Sequence, residues 1–243
     1  MREAWAYAVV GRGRWARRMG EILEAEGRRV ARIEETRGDA AELTEALRAS
    51  GAQAAWLCVT PGPHVAGMLQ AAIAAGVHVV AEKPWMCSKN ETEAIAAAAR
   101  TRGTRLGVHF EYCLLERVEA WRERFRDARG LRFGGRFTVS RGDRLGIPAI
   151  ENLGSHLAAI RRYAAPHSEI TELVCAYDAA DERRVWIEDE TIDFLENREP
   201  LIQRFARRFE EGPEFPFDIE FGLQVQEDLA TFRGRQTAES LRR

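Results

Sequence analysis

A chain of 243 residues, 45% apolar and 30% charged, has the balance of a soluble globular protein, long enough for one large domain or two small ones. A net charge of −2 and a pI near 6.3 exclude the global basic field of a nucleic-acid binder. No run of 18 apolar residues offers a membrane span, and the N-terminus enters a strand-like segment without a signal-peptide core, so a cytoplasmic protein is expected.

The elements alternate from the start. Ala4–Val10, A-W-A-Y-A-V-V, is a short apolar run that suits a strand covered on both faces. Gly11-Arg12-Gly13-Arg14-Trp15-Ala16 follows, then a helical pattern to about Glu26 with a stop at Gly27. Arg29–Ile33 reads as a second strand, Asp39–Ala49 as a helix and Ala54–Thr60 as a third strand. Pro61-Gly62-Pro63 breaks the chain before a helix through Ala75, closed by Gly76, and Val77–Ala81 is the next strand. Ser88-Lys89-Asn90-Glu91 has capping-box spacing and opens an alanine-rich helix to about Arg102, with one more strand at Arg105–Phe110. Such alternation implies right-handed βα units and a doubly wound parallel sheet over residues 1–112.

Beyond residue 110 the pattern changes. Leu114–Ala128 predicts an amphipathic helix with Leu115, Val118, Trp121 and Phe125 on one face, and Arg132–Ser140 alternates like a half-exposed strand. A helix is expected over Asn152–Tyr163, strands over Glu169–Tyr177 and Arg183–Ile187, and helices over Thr191–Glu211 and Ile219–Phe232. Residues 113–243 thus form a smaller α+β domain. Arginines cluster at Arg12–Arg18, Arg122–Arg129 and Arg204–Arg208, but acids lie among or near them, as on solvated helix faces. Cys58, Cys87, Cys113 and Cys175 show no metal spacing and no close pair, which fits reduced thiols and no metal site.

Gly11-x-Gly13-x-x-Ala16 has the strand–turn–helix setting of a dinucleotide fingerprint. The first glycine makes the tight turn, the second admits a diphosphate to the backbone, and the small third residue lets helix pack on strand. Arg14 and Trp15 lie inside the same turn. At the end of the second strand a carboxylate, Glu35 above all, can accept from both ribose hydroxyls and favours NAD, whereas Arg37 could pair with the 2′-phosphate of NADP. Thr60-Pro61-Gly62-Pro63-His64 can wall the nicotinamide, with His64 either a helper or a packing residue.

Lys83, one of only two lysines in an arginine-rich chain, ends the segment V-H-V-V-A-E-K-P. A lysine amine can be tuned to exchange a proton, which a guanidinium cannot, so Lys83 is a candidate general acid/base while Lys89 reads as a surface charge. With T-P-x-x-H and A-G-V-H-V-V-A-E-K-P in place, the chain resembles the Gfo/Idh/MocA family, named for glucose–fructose oxidoreductase, inositol dehydrogenase and a rhizopine-catabolism protein. The likeness covers residues 4–128 well and the rest in fragments. It implies an N-terminal Rossmann domain, a nicotinamide cofactor, Lys83 as the catalytic lysine, and Glu82 and Pro84 on the cofactor side. It also implies a homo-oligomer joined through the second-domain sheet, which looks shortened between Tyr177 and Thr191. The spacing from the second strand to Thr60 likewise looks one helix–strand unit short.

A second signature of the family resembles D-x-G-x-H-x-x-D, where this chain has Asn152-Leu-Gly154-Ser-His156-Leu-Ala-Ala159. Asn152 and His156, four apart, are expected on one helix face. His156 keeps the means to bond a hydroxyl or give a proton, although a first-turn histidine also has ordinary structural uses. His109-Phe110-Glu111-Tyr112-Cys113 departs from the family's usual amide and arginine. Glu111 reads either as a carboxylate partnering Lys83 or His156, or as an outward-facing charge.

The leading expectation is an oxidoreductase that moves hydride between nicotinamide and a carbon bearing a hydroxyl or amine of a small polar substrate. Lys83 transfers the proton, and His156, Asn152, Glu111 or Tyr112 assist. Two alternatives stand beside it: a redox-inactive binding or scaffold protein, and a redox-neutral enzyme that oxidises its substrate transiently.

Overall fold

The computed structural model describes residues 4–34, 39–143, 145–194, 198–212 and 215–240, with side chains described to Arg233. The chain separates into two compact units, residues 1–109 with 202–223, and residues 110–201 with 224–243. The sequence predicts one crossing at 112/113; in the structure a C-terminal segment also returns to the first unit.

The first unit is built on five parallel strands, β1 (Tyr7–Val10), β2 (Val30–Ile33), β3 (Ala54–Leu57), β4 (His78–Ala81) and β5 (Leu106–Val108), in the order β2-β1-β3-β4-β5. Strands β1 and β3 are buried along their whole length, as continuous apolar runs in a two-sided sheet must be. Four helices join them: α1 (Arg14–Ala25), α2 (Ala40–Ser50), α3 (His64–Ala75) and α4 (Lys89–Arg102). Local chemistry fixes their ends. Asp39 accepts from Ala41 N and Glu42 N to start α2, and Ser88 and Glu91 close a reciprocal capping box on α4. Each such cap stabilises its helix by about 1 kcal/mol.

A six-stranded dinucleotide fold runs 3-2-1-4-5-6. Here α2 leads straight to the far side of β1, and among the described residues no strand lies outside β2. This is the shortening suggested by the spacing before Thr60.

On the opposite flank the returning segment covers edge strand β5. Val108 N donates to Phe217 O, 2.7 Å away. Phe205, Phe209, Phe215 and Phe217 are buried against one another with ring centroids 5.1–5.9 Å apart. Gly107 lets them approach: a Cβ there meets the Phe215 ring at 2.8 Å. Burial of each phenyl contributes roughly 2–3 kcal/mol, and Glu210 adds hydrogen bonds from Tyr7 and Arg28.

The second unit starts with a 3-10 turn at Glu111–Leu114 and helix α5 (Glu116–Phe125). Its mixed sheet has the order β7-β6-β8-β9, from β6 (Arg132–Val139), β7 (Glu169–Tyr177), β8 (Glu182–Ile187) and β9 (Glu190–Asp193). Strands β6 and β7 are parallel, and the other pairs are antiparallel. The helix expected from Thr191 is corrected. Thr191–Asp193 pairs with β8, burying Ile192, and α8 begins only at Glu199 and runs to Glu211. Alternation of one buried apolar residue among acids won over helical spacing.

The helix expected at Asn152 is split into α6 (Ala149–Asn152) and α7 (Gly154–Ala164), so Asn152 and His156 do not share one continuous helix. The last helix, α9, is longer than expected, Ile219–Ser240. Among the described residues no helix is long and apolar enough to cross a membrane.

Candidate functional site

Parallel register sets the first site. Val10 pairs with Leu57 and Leu57 with Ala81, so Gly11, Cys58 and Glu82 leave the sheet on one line at its carboxyl edge. Two strand spacings put the β1 and β4 turns roughly 10 Å apart. The chain order changes direction between β1 and β3, where ligands of open α/β sheets collect.

Gly11 has φ +134°, and a Cβ there lies 2.5 Å from the Cys58 carbonyl oxygen and 3.4 Å from Ala16 Cβ. Only glycine fits that turn, and Ala16, 2% exposed, is the small residue on which α1 rests. Gly13 is exposed, and a Cβ there meets nothing within 4 Å, so the backbone stays open to an incoming group. No side chain caps α1, and its first turn holds no acid. Arg12, Arg14 and Arg17 are exposed around it and, among the described residues, form no ion pair. A cradle of this kind offers backbone N–H groups and positive potential to a diphosphate.

The E-K-P segment follows β4. Lys83 and Glu82 are half-buried, Pro84 is buried, and the Lys83–Pro84 peptide is cis. Glu82 Oε1 accepts from Trp15 Nε1 at 2.8 Å and Trp56 Nε1 at 3.2 Å, and lies 3.1 Å from His109 Nδ1. Burial pushes this carboxyl upward, but His109, the Trp15 N–H and the Lys83 charge outweigh it and hold it below the ordinary range. The charge beside Lys83 is therefore an anion that the ammonium helps to keep ionised. Thr60 and His64 are exposed and Pro61 is half-buried; the His64 ring sits at the start of α3, close over Gly62. Glu35 and Arg37 lie outside the described residues.

The second unit holds its own cluster. Glu111 is 1% exposed, which rules out the outward-facing reading of its charge. Its Oε2 lies 4.0 Å from His156 Nδ1 and its Oε1 3.5 Å from Arg198 Nη1. The Tyr112 ring meets the His156 ring edge-on at 4.8 Å, and the Tyr112 hydroxyl accepts from Arg183 Nη1 at 3.3 Å. Burial and then Glu111 push the Tyr112 phenol up to about 12, against the pull of Arg198 and Arg183. Asn152 Nδ2 donates to the Tyr177 hydroxyl at 2.9 Å, which in turn donates to Ile147 O.

Residues 6–110 match an oxidoreductase family with an NAD-binding Rossmann fold, Gfo/Idh/MocA. The match spans the five-stranded sheet and its helices, somewhat less than half of the chain. Solved structures with the same fold cover nearly the whole chain. The WlbA (WbpB) dehydrogenase from Thermus thermophilus, in complex with NAD and UDP-GlcNAcA, aligns at TM-score 0.76 and 13% identity over 94% of each chain. The UDP-N-acetylglucosamine 3-dehydrogenase GnnA from Acidithiobacillus ferrooxidans aligns at 0.76 and 15%, over 95% of this chain and 97% of that one. KijD10, a 3-ketoreductase from Actinomadura kijaniata in complex with TDP-benzene and NADP, aligns at 0.65 and 17%, over 94% and 96%. At these identities the likeness is one of fold. No curated protein sequence matches the chain.

The open turn at Gly11, Gly13 and Ala16 fits an NAD diphosphate. Sequence reasoning missed two members of the E-K-P cluster, Trp56 and His109. A lone tryptophan in the apolar strand A-A-W-L was the available signal, because a buried indole N–H needs an acceptor. Arg183 and Arg198 near Tyr112 and Glu111 were also missed, and no local pattern marks them.

Proposed function

We propose that the chain is an NAD(P)-dependent oxidoreductase acting on a small polar substrate, with Lys83 as the proton-transfer group. The observation that carries this reading is the common strand-end line of Gly11 and Glu82-Lys83 on a Gfo/Idh/MocA Rossmann sheet. When bound, the nicotinamide supplies or accepts a hydride at C4. The protein does the rest. The Gly11–Gly13 turn and the α1 N-terminus hold the diphosphate, with Arg14, Trp15 and Ala16 shaping that end. Thr60, Pro61, His64 and Pro84 bound the pocket, and Glu35 selects NAD over NADP. Lys83 gives or takes the proton of the reacting hydroxyl or amine, and a positioned acid/base of this kind contributes about 10²–10⁴ in rate. His156, with Glu111 beside it, is assigned as a further hydroxyl-bonding or proton-donating group, and Asn152 to support the α6–α7 junction through Tyr177.

Sugars, cyclitols and imines are the substrate classes, and nucleotide-linked sugars join them because two structural neighbours carry them in their names. A homo-oligomer in the cytoplasm completes the reading, consistent with four free cysteines. The test is titration with NADH and NADPH, following nicotinamide fluorescence. Binding with Kd below about 1 mM, or roughly 4 kcal/mol, is expected, tighter for NADH. Failure of both to bind rejects the reading. A screen of polyols, amines, keto acids and UDP-sugars then identifies the substrate.

A further inference from the structure

Glu82 stands next to the proposed proton-transfer lysine, yet its carboxylate is aimed into the protein. Three nitrogen groups converge on the single atom Oε1, from Trp15, Trp56 and His109. An indole N–H can only donate, so two of these contacts fix the oxygen as acceptor. An ionised carboxylate has no proton of its own to give, so the third contact puts the proton on His109 Nδ1.

The surroundings are aromatic. Trp15 stacks on His109 at 6.3 Å and 22°, Trp56 meets His109 edge-on at 4.8 Å, and Phe205 does so at 5.0 Å. Trp56, His109 and Phe205 are buried, where hydrogen bonds are stronger than the same bonds in solvent.

The three donors are not equivalent in the fold. Trp56 lies within β3, and His109, immediately after β5, is tied to β4 by its N–H to Ala81 O, so both belong to the sheet. Trp15 belongs to the first turn of α1, two positions past Gly13. One carboxylate therefore bridges the rigid sheet and the phosphate helix, from the residue that precedes Lys83.

We propose that Glu82 is a positioning residue whose carboxylate locks Trp15, and with it the phosphate turn, in place relative to Lys83. The lock is a property of the protein alone; its effect on cofactor binding rests on the oxidoreductase reading above.

The experiment uses the full chain as Glu82→Gln, Trp15→Phe and the double variant, with two readouts. In cofactor-free protein, the Trp15 indole N–H resonance, assigned by its loss in Trp15→Phe, is expected to move in Glu82→Gln. For NADH, each single variant is expected to raise Kd about tenfold, the worth of one charge-assisted hydrogen bond. The double variant should bind no worse than the weaker single, because both remove the same contact. An unmoved resonance, or losses that multiply in the double variant, overturns the proposal. If Glu82→Gln does not fold, Trp15→Phe decides alone, and unchanged NADH affinity in it overturns the lock. If the wild-type protein binds neither NADH nor NADPH, the cofactor reading falls while the resonance still decides the lock.

Discussion

His156 Nδ1 and Glu111 Oε2 lie 4.0 Å apart, with side chains 3% and 2% exposed. Asn152, four residues before His156, brings no charge. Glu111 supplies a carboxylate from a different element, the 3-10 turn after β5. Glu111→Ala is expected to destabilise the protein by about 3 kcal/mol in urea unfolding, since it leaves His156 and Arg198 beside a void without their anion. Glu111→Gln should cost less than half as much, and on the proposed reading it also lowers kcat.

For Lys83→Ala, kcat on the identified substrate should fall by about 10²-fold or more. The NADH Kd should change by less than about threefold. Steady-state kinetics with parallel fluorescence titration checks the split. Parallel loss of both quantities indicates a structural lysine.

The two glycines of the phosphate turn should respond differently. Gly11→Ala places a methyl against the Cys58 carbonyl and forces a residue with a side chain to φ +134°. A cost of about 2–4 kcal/mol in unfolding free energy is expected from strain and overlap together. Gly13→Ala meets nothing within 4 Å and keeps a φ of −74°, so its Tm should stay close to wild type. Its NADH affinity should nevertheless fall, because the methyl stands where the diphosphate is proposed to approach. Thermal melts and NADH titration of the two variants test this contrast.

Acid should weaken the protein partly through Glu82. In the folded chain this carboxyl is held below its ordinary 4.5, because His109, Trp15 and Lys83 outweigh the upward push of burial. The unfolded chain therefore takes up the proton first. The stabilisation from Glu82 is complete above about pH 4.5 and disappears as pH falls through the lower folded value. The gap in unfolding free energy between wild type and Glu82→Gln should shrink as pH falls below about 4.5. A gap that stays constant or widens contradicts the assigned shift.

The thiols should be sluggish. Burial pushes Cys58 and Cys113 well above the ordinary range, with help from Glu82 and Glu111 respectively. It takes Cys87 up to about 11 and Cys175 up to about 12. Since the thiolate is the reactive form, a disulfide reagent at pH 8 should modify the native protein slowly. All four cysteines should react at once after denaturation.

Much of the first unit was legible because buried parallel strands are short continuous apolar runs, and A-Y-A-V-V and A-A-W-L stand out between helix signals. The Gly11–Gly13 turn was legible because its conformation demands glycine in that order. The Trp15–Glu82 hydrogen bond was not, since its partners are 67 residues apart and no periodicity links them. Glu111 could be recognised as an acid in an apolar neighbourhood, but the side to which it turned depended on α7 and on Arg198. Strand β9 was misread because four residues are too few for alternation to outweigh the helical pattern beyond them. The cover over β5 was not legible either, because Phe205 and Phe209 belong to α8, far along the chain from the strand they pack on.

That last cover has a consequence for how the protein is made. Strand β5 emerges from the ribosome long before Phe217, whose carbonyl completes its outer side, and before the phenylalanines that press on Gly107. A nascent chain halted after residue 112 carries every strand of the first sheet and none of the lid over its flank. Vectorial synthesis therefore cannot finish the cofactor half until residues 205–217 have emerged.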